Sequence, residues 1–543
     1  MAPWILSVLC ACAILACSPV DIGHNRGSDP NGNPPGDPTG HDSATDAAGH
    51  DGSADASDTT GGSDNRESED PTDPGGTLDL SPTPVYLKAQ YADIQDFFGT
   101  SVSLDGDVVA VGACYEDSAR ILNVNDPSDN SAQDSGAVYI FTRSGTAWDQ
   151  RAFLKASNAD AEDLFGWSVS LDGTTLAVGA YREQSNATGV NHDQTDNSLT
   201  IAGAVYVFVG SGQSWSQQVY LKASNTDSFD NFGSSVSLDG DTLAVAAIGE
   251  SSNATGINGD QANNLADSSG AVYVFVRNGT NWSQQAYLKA SNTDADDLFG
   301  WSISLNGDTL AVGAVEEDSA SPAAGGSQGD NSVANSGAVY VFVRNGTSWS
   351  QQAFLKASNA AAEAWFGSAV SLSGNTLAVG ADAEDSAATG VNGDQHNSAA
   401  VSSGAVYVFT RTGGIWSQQA YLKASNTDAG DNFGISVSLD GNFLAVGAYG
   451  EDSNTAGFNG NQADNSYPNS GAVYVFARTG ATWSQQIYLK ADHSEAGDVF
   501  GNPVSLKNGS LVVGSSREDS SSPRVGGSPS DNLATDSGAV LVY

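Results

Sequence analysis

The chain has 543 residues, of which 64 are Asp or Glu and only 20 are Lys or Arg, so its formal net charge is −44. Binding to nucleic acid needs Lys and Arg against the phosphates, and this balance argues against it. The acidity favours cations, basic partners or simple solubility in a salty medium. Four Cys residues in a chain of this length predict no disulfide framework.

The first 17 residues, MAPWILSVLCACAILAC, form an apolar run that is too short to cross a membrane as a helix. A run of this kind that ends in small residues is typical of a secretion signal. Its last three residues, Leu15-Ala16-Cys17, resemble the lipobox of bacterial lipoproteins. The resemblance implies lipidation at Cys17, and Ser18 behind it implies the outer membrane or the cell surface. An ordinary cleaved signal peptide is the alternative.

Residues 18–83 are rich in Gly, Asp, Pro, Ser and Thr and contain almost no large apolar side chains. Such a composition cannot bury enough surface to offset the entropy of ordering the backbone. The segment carries 14 acidic residues against Arg26 and Arg66, and self-repulsion is expected to extend it. The sequence therefore predicts a disordered acidic tether before residue 84.

The rest of the chain, residues 84–543, is built from repeats. Phe-Gly pairs recur at a constant interval of 67 residues, which is the signature of a repeat architecture. The Phe residues of these pairs are Phe98, Phe165, Phe232, Phe299, Phe366, Phe433 and Phe500.

Each repeat predicts four short strands, with sequences close to SVSL, TLAVGA, AVYVF and WSQQAYLKA. The first two are joined by Asp-Gly or Asn-Gly and form a hairpin. AVYVF is apolar at successive positions, so both of its faces need cover. Four-stranded sheets arranged radially provide that cover, and the fold class is therefore all-β, a β-propeller with seven blades.

The two ends of the repeated region complement each other. The seventh repeat stops at Tyr543, after its third strand, whereas PVYLKA at residues 84–89 matches the fourth strand of the other repeats. We therefore expect the N-terminal strand to complete the last blade and to close the ring, which removes an open sheet edge.

A Phe-Gly pair followed by an apolar strand that ends in VGA resembles the FG-GAP repeat of integrin α-subunit propellers and their bacterial relatives. The resemblance covers about residues 84–543 and implies a propeller used in extracellular recognition or adhesion. Two features depart from it: Pro never follows the Gly-Ala pair, and the integrin-type calcium loop between the first two strands has shrunk to a tight turn such as LDGD. The metal site of the family is therefore not carried over.

In a propeller, the connections between blades and the loops between second and third strands share one face. Most acidic residues beyond the tether fall on these segments, and the sequence predicts an acidic face with long loops, where propellers usually bind their partners. The Arg residues that oppose this charge are Arg120, Arg182, Arg517 and Arg524.

The long loops repeat carboxylates that are candidate calcium ligands, because Ca²⁺ prefers carboxylate, amide and carbonyl oxygens. The alternative is that each Glu pairs with an equally recurrent Lys, and that Asp and Asn only shape turns. Seven Glu residues recur once per repeat: Glu116, Glu183, Glu250, Glu317, Glu384, Glu451 and Glu518. The Asp candidates are Asp126, Asp129, Asp193, Asp196, Asp260, Asp330, Asp394, Asp464 and Asp531.

Nothing in the sequence predicts a catalyst. The six His residues are scattered without zinc or triad spacing. GWSVS at residues 166–170 lacks the second Gly of a nucleophile elbow and opens a strand rather than a helix. Cys114 follows a strand end and is interpreted as a small packing residue.

We therefore expect a secreted, lipid-anchored propeller that is not an enzyme and that recognises an extracellular protein or glycan through its acidic loop face. Its contact with the membrane is expected to be through the lipid alone. A hydrolase or lyase acting on extracellular polysaccharide is one alternative, and a structural protein of the cell envelope is another. The adhesion part of this prediction comes from the family resemblance, since a fold does not define a function.

Overall fold

The computed structural model of the chain describes residues 78–90, 93–119, 129–320, 328–522, 525–526 and 531–543. All regular structure in these residues is β-strand. None of them belongs to a helix long and apolar enough to cross a membrane. The predicted signal segment, Cys17 and nearly all of the predicted tether lie outside the described residues.

Seven four-stranded antiparallel sheets surround a common axis, and each is one blade of a β-propeller. The first strands of neighbouring blades contact each other, so they are the innermost strands. Blades 1 to 3 consist of β2 (Ser101–Asp105), β3 (Val108–Ala113), β4 (Ala137–Ser144) and β5 (Ala147–Leu154); β6 (Ser168–Asp172), β7 (Thr175–Ala180), β8 (Ala204–Ser211) and β9 (Ser214–Leu221); and β10 (Phe232–Asp239), β11 (Thr242–Ala247), β12 (Ala271–Asn278) and β13 (Asn281–Leu288).

Blades 4 to 6 follow the same order, and blade 6 has an additional two-residue strand, β24, at its outer edge. Their strands are β14 (Ile303–Asn306), β15 (Thr309–Ala314), β16 (Ala338–Asn345) and β17 (Ser348–Leu355); β18 (Val370–Ser373), β19 (Thr376–Ala381), β20 (Ala405–Thr412) and β21 (Ile415–Leu422); and β22 (Ser436–Asp440), β23 (Phe443–Ala448), β24 (Gly457–Phe458), β25 (Ala472–Thr479) and β26 (Thr482–Lys490).

Blade 7 joins the two ends of the propeller, which confirms the predicted closure. It contains β27 (Val504–Lys507), β28 (Ser510–Ser515), β29 (Ala539–Val542) and, as its outer strand, β1 (Val85–Leu87). The pairing is antiparallel, with Val85 opposite Val542 and Leu87 opposite Val540. The outer edge of β29 is thereby paired rather than exposed.

A ring of hydrogen bonds joins the inner strands around the axis. The Ser103 hydroxyl oxygen accepts the Leu171 amide of the next blade at 2.9 Å, and the same bond recurs around the propeller. Across the closure, the Ser505 oxygen accepts the Leu104 amide at 3.2 Å. The turn Asp105 also accepts an amide of the next blade, that of Gly173, at 2.7 Å.

The core lies between adjacent blades, and it explains the Phe-Gly and Val-Gly-Ala motifs. Phe165 is fully buried and meets Tyr206 edge-on at a ring-centroid distance of 5.4 Å. A Cβ on Gly179 would lie 2.1 Å from the carbonyl oxygen of Gly233 in the next blade. Glycine permits this close approach in six blades, whereas blade 3 has Ala246 at the same position.

On the face opposite the long loops, Arg residues link blades 1, 3, 4, 5 and 6 to the blade before them. The Arg344 guanidinium lies 5.3 Å from the ring of Trp349, bonds Asp308 at 2.7 Å and donates to Thr242 of blade 3 at 2.9 Å. The Trp349 indole in turn donates to Gln285 of blade 3 at 2.8 Å. The Arg residues of this face therefore have structural partners.

Candidate functional site on the long-loop face

The long-loop face comprises the connections between blades and the loops between the second and third strand of each blade. Because these segments leave and re-enter the sheets at the same ends of the strands, they lie on one face. The recurrent Glu residues and the Phe-Gly pairs both belong to it. The geometry of this face divides into a buried layer that repeats and a ring near the axis that does not.

The buried layer is a polar network centred on the recurrent Glu. In blade 2, Glu183 accepts a hydrogen bond from Lys222 at 2.9 Å, from the Tyr220 hydroxyl at 3.0 Å and from the Asn158 amide at 3.1 Å. The Ser185 backbone amide donates to the same carboxylate at 3.2 Å. These four donors occupy both carboxylate oxygens, which is what a buried charge requires.

The Glu–Lys ion pair recurs in all seven blades with Nζ–Oε2 distances of 2.7 to 3.3 Å, and the Lys side chains have no solvent exposure. Lys88, which follows β1, supplies the pair of blade 7 with Glu518 at 2.8 Å. The closing strand therefore completes the network as well as the sheet. These Lys residues follow the outer strands and add seven positive charges to the long-loop face, beyond the Arg residues expected from sequence.

A buried Asp two residues before the Phe of the Phe-Gly pair was missed by the sequence analysis. In blade 2, Asp163 accepts the backbone amide of Asp160 at 3.0 Å. Burial raises the pKa of Asp163 to about 8, so it holds a proton at neutral pH. The recurring Asp-x-Phe-Gly spacing was the available signal, and blade 5 lacks it, with Ala364 in that place. Burial raises the pKa to about 8 in all six: Asp96, Asp163, Asp230, Asp297, Asp431 and Asp498.

The candidate calcium ligands lie in two kinds of environment. All seven Glu carboxylates are buried and bonded to Lys, as the ion-pairing alternative requires. Asp193 and Asp196 instead accept the backbone amides of Thr195 and Ser198 at 2.9 and 2.8 Å, which are turn-forming bonds.

The remaining Asp candidates are distributed over the same loops. Asp260, Asp394, Asp464 and Asp531 also accept backbone amides, Asp330 is exposed, and Asp129 is partly exposed. Asp126 lies outside the described residues. Across the part of the chain that the structure describes, no group of three or more His, Cys, Asp or Glu is placed to hold a metal ion.

The Gly-x-Asn stretches of the long loops return along the outer strands. Val190 forms an isolated bridge with Leu221, and the Asn191 side-chain oxygen accepts the Tyr220 amide at 3.0 Å. The stretch GVNGDQHNS in blade 5, predicted to offer oxygens to a cation, forms the equivalent bridge through Val391. These Asn side chains thus accept hydrogen bonds from the backbone of the outermost strand of a blade.

A second set of residues, here called the axial ring, surrounds the axis on the long-loop face. It consists of the residue after each Phe-Gly pair and the two residues after each second strand, which meet at the same end of an antiparallel hairpin. The residues after Phe-Gly are Thr100, Trp167, Ser234, Trp301, Ser368, Ile435 and Asn502. Those after the second strands are Cys114-Tyr115, Tyr181-Arg182, Ile248-Gly249, Val315-Glu316, Asp382-Ala383, Tyr449-Gly450 and Ser516-Arg517.

The axial ring varies in a chain whose repeats are otherwise almost copies. AVYVF is identical in β8, β12, β16, β20 and β25, whereas the residue after Phe-Gly is Trp, Ser, Thr, Ile or Asn. Trp167, Trp301, Tyr115, Arg182 and Glu316 are only half-buried, so their side chains reach solvent. The ring is therefore asymmetric in a propeller whose frame is close to sevenfold symmetric.

Blades 1 and 2 carry an aromatic sector of this ring. The Trp167 and Tyr181 rings lie 4.6 Å apart, and the Arg182 guanidinium is 5.8 Å from the Tyr181 ring. Cys114 is fully buried and packs with Tyr181. Its burial agrees with the packing role expected for this thiol.

The charge of the ring changes from one side to the other. Arg182 and Arg517 extend from blades 2 and 7, whereas Glu316 extends from blade 4. Burial, followed by the nearby charges of Asp296 and Glu363, raises the pKa of Glu316 to about 7. A ligand on the axis would therefore meet cationic groups from blades 2 and 7, and both Trp301 and the Glu316 carboxyl from blade 4.

Comparison with known families agrees with the geometry. Seven segments match the family described as the FG-GAP repeat, and together they cover residues 87–141, 148–208, 215–275, 282–342, 349–409, 416–476 and 483–543. No curated protein sequence matches the chain.

Proposed function

The chain belongs to the FG-GAP repeat family, and from that premise we propose that it is a binding protein that recognises an extracellular partner through its long-loop face. The fold is consistent with recognition or adhesion outside the cell. The axial ring is the contact surface in this proposal. Half-buried aromatic and charged side chains gathered at one place are typical of binding surfaces.

The observation that carries the proposal is the location of the variation between repeats. The buried Glu–Lys network and the blade core recur because every blade needs them to fold. The residues after Phe-Gly and after the second strand differ from blade to blade, although Ser at the first of these positions is compatible with the fold in two blades. Folding does not require the ring residues to differ between blades. An asymmetric ligand does, because each side of it needs different contact residues.

The test is binding of the purified chain to an array of glycans and extracellular proteins. The informative variants are Trp167→Ser and Trp301→Ser, which introduce the residue found at that position in blades 3 and 5. Loss of the array signal in these variants is the expected result. Ile415→Ser is the matched control, since Ile415 is exposed at the start of β21 on the opposite face. A signal that survives both Trp substitutions would contradict a contact at the axial ring.

We also propose that the propeller is displayed at the cell surface by a lipid on Cys17, with residues 18–83 as a spacer. This rests on the lipobox-like Leu15-Ala16-Cys17 and on the polar, acidic composition that follows it. Metabolic labelling with a fatty-acid analogue should mark the wild type and not Cys17→Ala. Labelling of Cys17→Ala at the wild-type level would refute this attachment site.

A further inference from the structure

We infer that the long-loop face binds a basic protein segment that also carries apolar side chains, and that this contact is centred on blade 3. The inference rests on the proposed recognition function and names the kind of partner. The surface concerned, here called the blade 3 patch, consists of Phe229, Leu265, Asp227, Asp267 and Asp296.

Exposed apolar side chains are concentrated on the long-loop face. In the described part of the chain seven large apolar residues are exposed, and six of them belong to blade connections or long loops; the seventh, Ile415, is on the opposite face. The two in the blade 3 patch are Phe229, 54% exposed, and Leu265, 75% exposed. The six residues are Ile94, Phe229, Leu265, Val401, Tyr467 and Leu533.

The backbone at Phe229 is held in an unfavourable conformation. Its φ is +71°, in the left-handed region that side chains other than those of Gly, Asn and Asp rarely adopt. At the same place two other blades have Gly430 and Gly497, and Gln, Glu or Asp occupies the remaining four. The left-handed φ recurs at this position in all seven blades, at +61° to +94°, so it belongs to the repeat. What is particular to blade 3 is a large, exposed apolar side chain where the other blades carry Gly or a polar residue.

Hydrogen bonds bring the apolar and acidic residues of the patch together. The Asn264 amide next to Leu265 donates to Asp227 at 3.2 Å, and Asp227 is two residues from Phe229. The Asp296 backbone amide donates to the Asp267 carbonyl at 2.7 Å, which brings a third exposed carboxylate beside them. Phe229 and Leu265 thus lie on segments joined by the Asn264–Asp227 hydrogen bond, and each is two residues from an exposed carboxylate, that of Asp227 or Asp267.

The Lys residues of blades 2 and 3 do not neutralise the patch. Lys222 and Lys289, the Lys residues of blades 2 and 3, have fully buried side chains that are bonded to Glu183 and Glu250 at 2.9 Å. Exposed carboxylates around exposed apolar groups are complementary to Lys or Arg alternating with apolar residues. An anionic polysaccharide would be repelled by the same carboxylates.

The test measures binding of the full chain to three synthetic peptides of equal length. One alternates Lys with Leu, the second Lys with Gly, and the third Glu with Leu. The wild type should bind the Lys–Leu peptide about tenfold more tightly than the Lys–Gly peptide, because only the former covers the apolar side chains. It should not bind the Glu–Leu peptide.

The double variant Phe229→Gly with Leu265→Ser carries residues found at these positions in other blades, so its fold should be retained. It should bind the Lys–Leu peptide no better than the Lys–Gly peptide. Ile415→Ser should behave as the wild type. Unchanged preference for the Lys–Leu peptide in the double variant, or equal binding of both Lys peptides by the wild type, would overturn the inference.

A separate outcome distinguishes this inference from the proposed function. Array partners whose binding is lost in Trp167→Ser and Trp301→Ser but kept in the Phe229→Gly, Leu265→Ser variant would support recognition at the axial ring. The same result would refute the blade 3 patch as the contact for those partners.

Discussion

The buried network and the axial ring lie on the same face of the same blades. The network has the same Glu and Lys in every blade, whereas the residues of the ring vary between blades. The ion pair between Glu183 and Lys222 recurs in every blade, including blade 7, where the Lys comes from the other end of the chain. Trp167 becomes Ser in the next blade and Trp again in the one after it. The difference separates what every blade needs to fold from what one particular surface needs to bind.

The network is constant because its members depend on one another. A buried carboxylate without its ammonium partner would lose several kcal/mol of stability, so replacement of either residue alone is costly. The ring position of Trp167 instead holds Trp, Ser, Thr, Ile or Asn in blades that share one fold. Its identity is therefore free to follow the proposed ligand.

The largest expected effect comes from removing β1, the N-terminal strand that completes blade 7 and precedes Lys88 of its Glu–Lys pair. Deletion of residues 84–89 exposes the edge of β29 and leaves Glu518 without Lys88. We expect aggregation or a clearly lowered melting temperature, measured by circular dichroism. A chain that begins at Pro74 keeps the strand and is the control. Equal melting of the two chains would contradict closure by β1.

Lys222→Ala tests the network within one blade. It leaves Glu183 buried beside Tyr220 and Asn158 with no cation, and we expect a loss of about 3–5 kcal/mol in the free energy of unfolding. Denaturant unfolding measures it. Lys507→Ala, at the exposed end of β27, should change stability by less than about 0.5 kcal/mol. Similar losses in both variants would show that the buried pair has no special weight.

The buried Asp residues predict how stability changes with pH. Between the unfolded pKa of about 4 and the folded pKa of about 8, Asp163 is protonated in the folded state and ionised in the unfolded state. The free energy of unfolding therefore falls as pH rises through this window, by up to about 1.4 kcal/mol per pH unit for each such group. Asp163→Asn should flatten the slope by about that amount.

Asp193→Asn is the matched control for this slope. Hydrogen bonds from Thr195 lower the pKa of Asp193, which is exposed. Neither Asp193 nor the Asn that replaces it should therefore contribute to the slope above pH 5. If Asp163→Asn left the slope unaltered, the Asp163 carboxyl would be ionised in the folded protein at neutral pH.

The smallest expected effect concerns calcium. The seven Glu carboxylates have Lys partners, and Asp193 and Asp196 accept turn amides. We therefore expect equal melting temperatures in millimolar Ca²⁺ and in chelator at matched ionic strength, since screening depends on ionic strength rather than on ion identity. A calcium-specific increase that is lost on replacing Asp193, Asp196 and Glu183 would instead establish a site in the second long loop. A bound ion at a hundred times its dissociation constant would add about 2.7 kcal/mol.

The sequence predicted the blades and their closure because a fixed period and a missing strand are global signals. It left the role of Glu183 open, since spacing alone does not distinguish an ion pair from a metal ligand. It missed the hydrogen bonds made by Asn158, which lies in a connection yet bonds the Glu of the following long loop. The axial ring was also missed, because residues 14 or 15 positions apart, such as Trp167 and Tyr181, meet only once the hairpin forms.

The most direct test of the division between frame and surface measures stability and binding together in two variants. Giving blade 4 the residues of blade 5, with Trp301→Ser and Glu316→Ala, changes only the ring; Lys222→Ala changes only the network. The ring variant should lose binding to the partner found on the array and melt within a few degrees of the wild type. Lys222→Ala should melt far lower and, at temperatures where it is folded, bind normally. A ring variant that binds as the wild type does, or that loses as much stability as Lys222→Ala, would contradict the account.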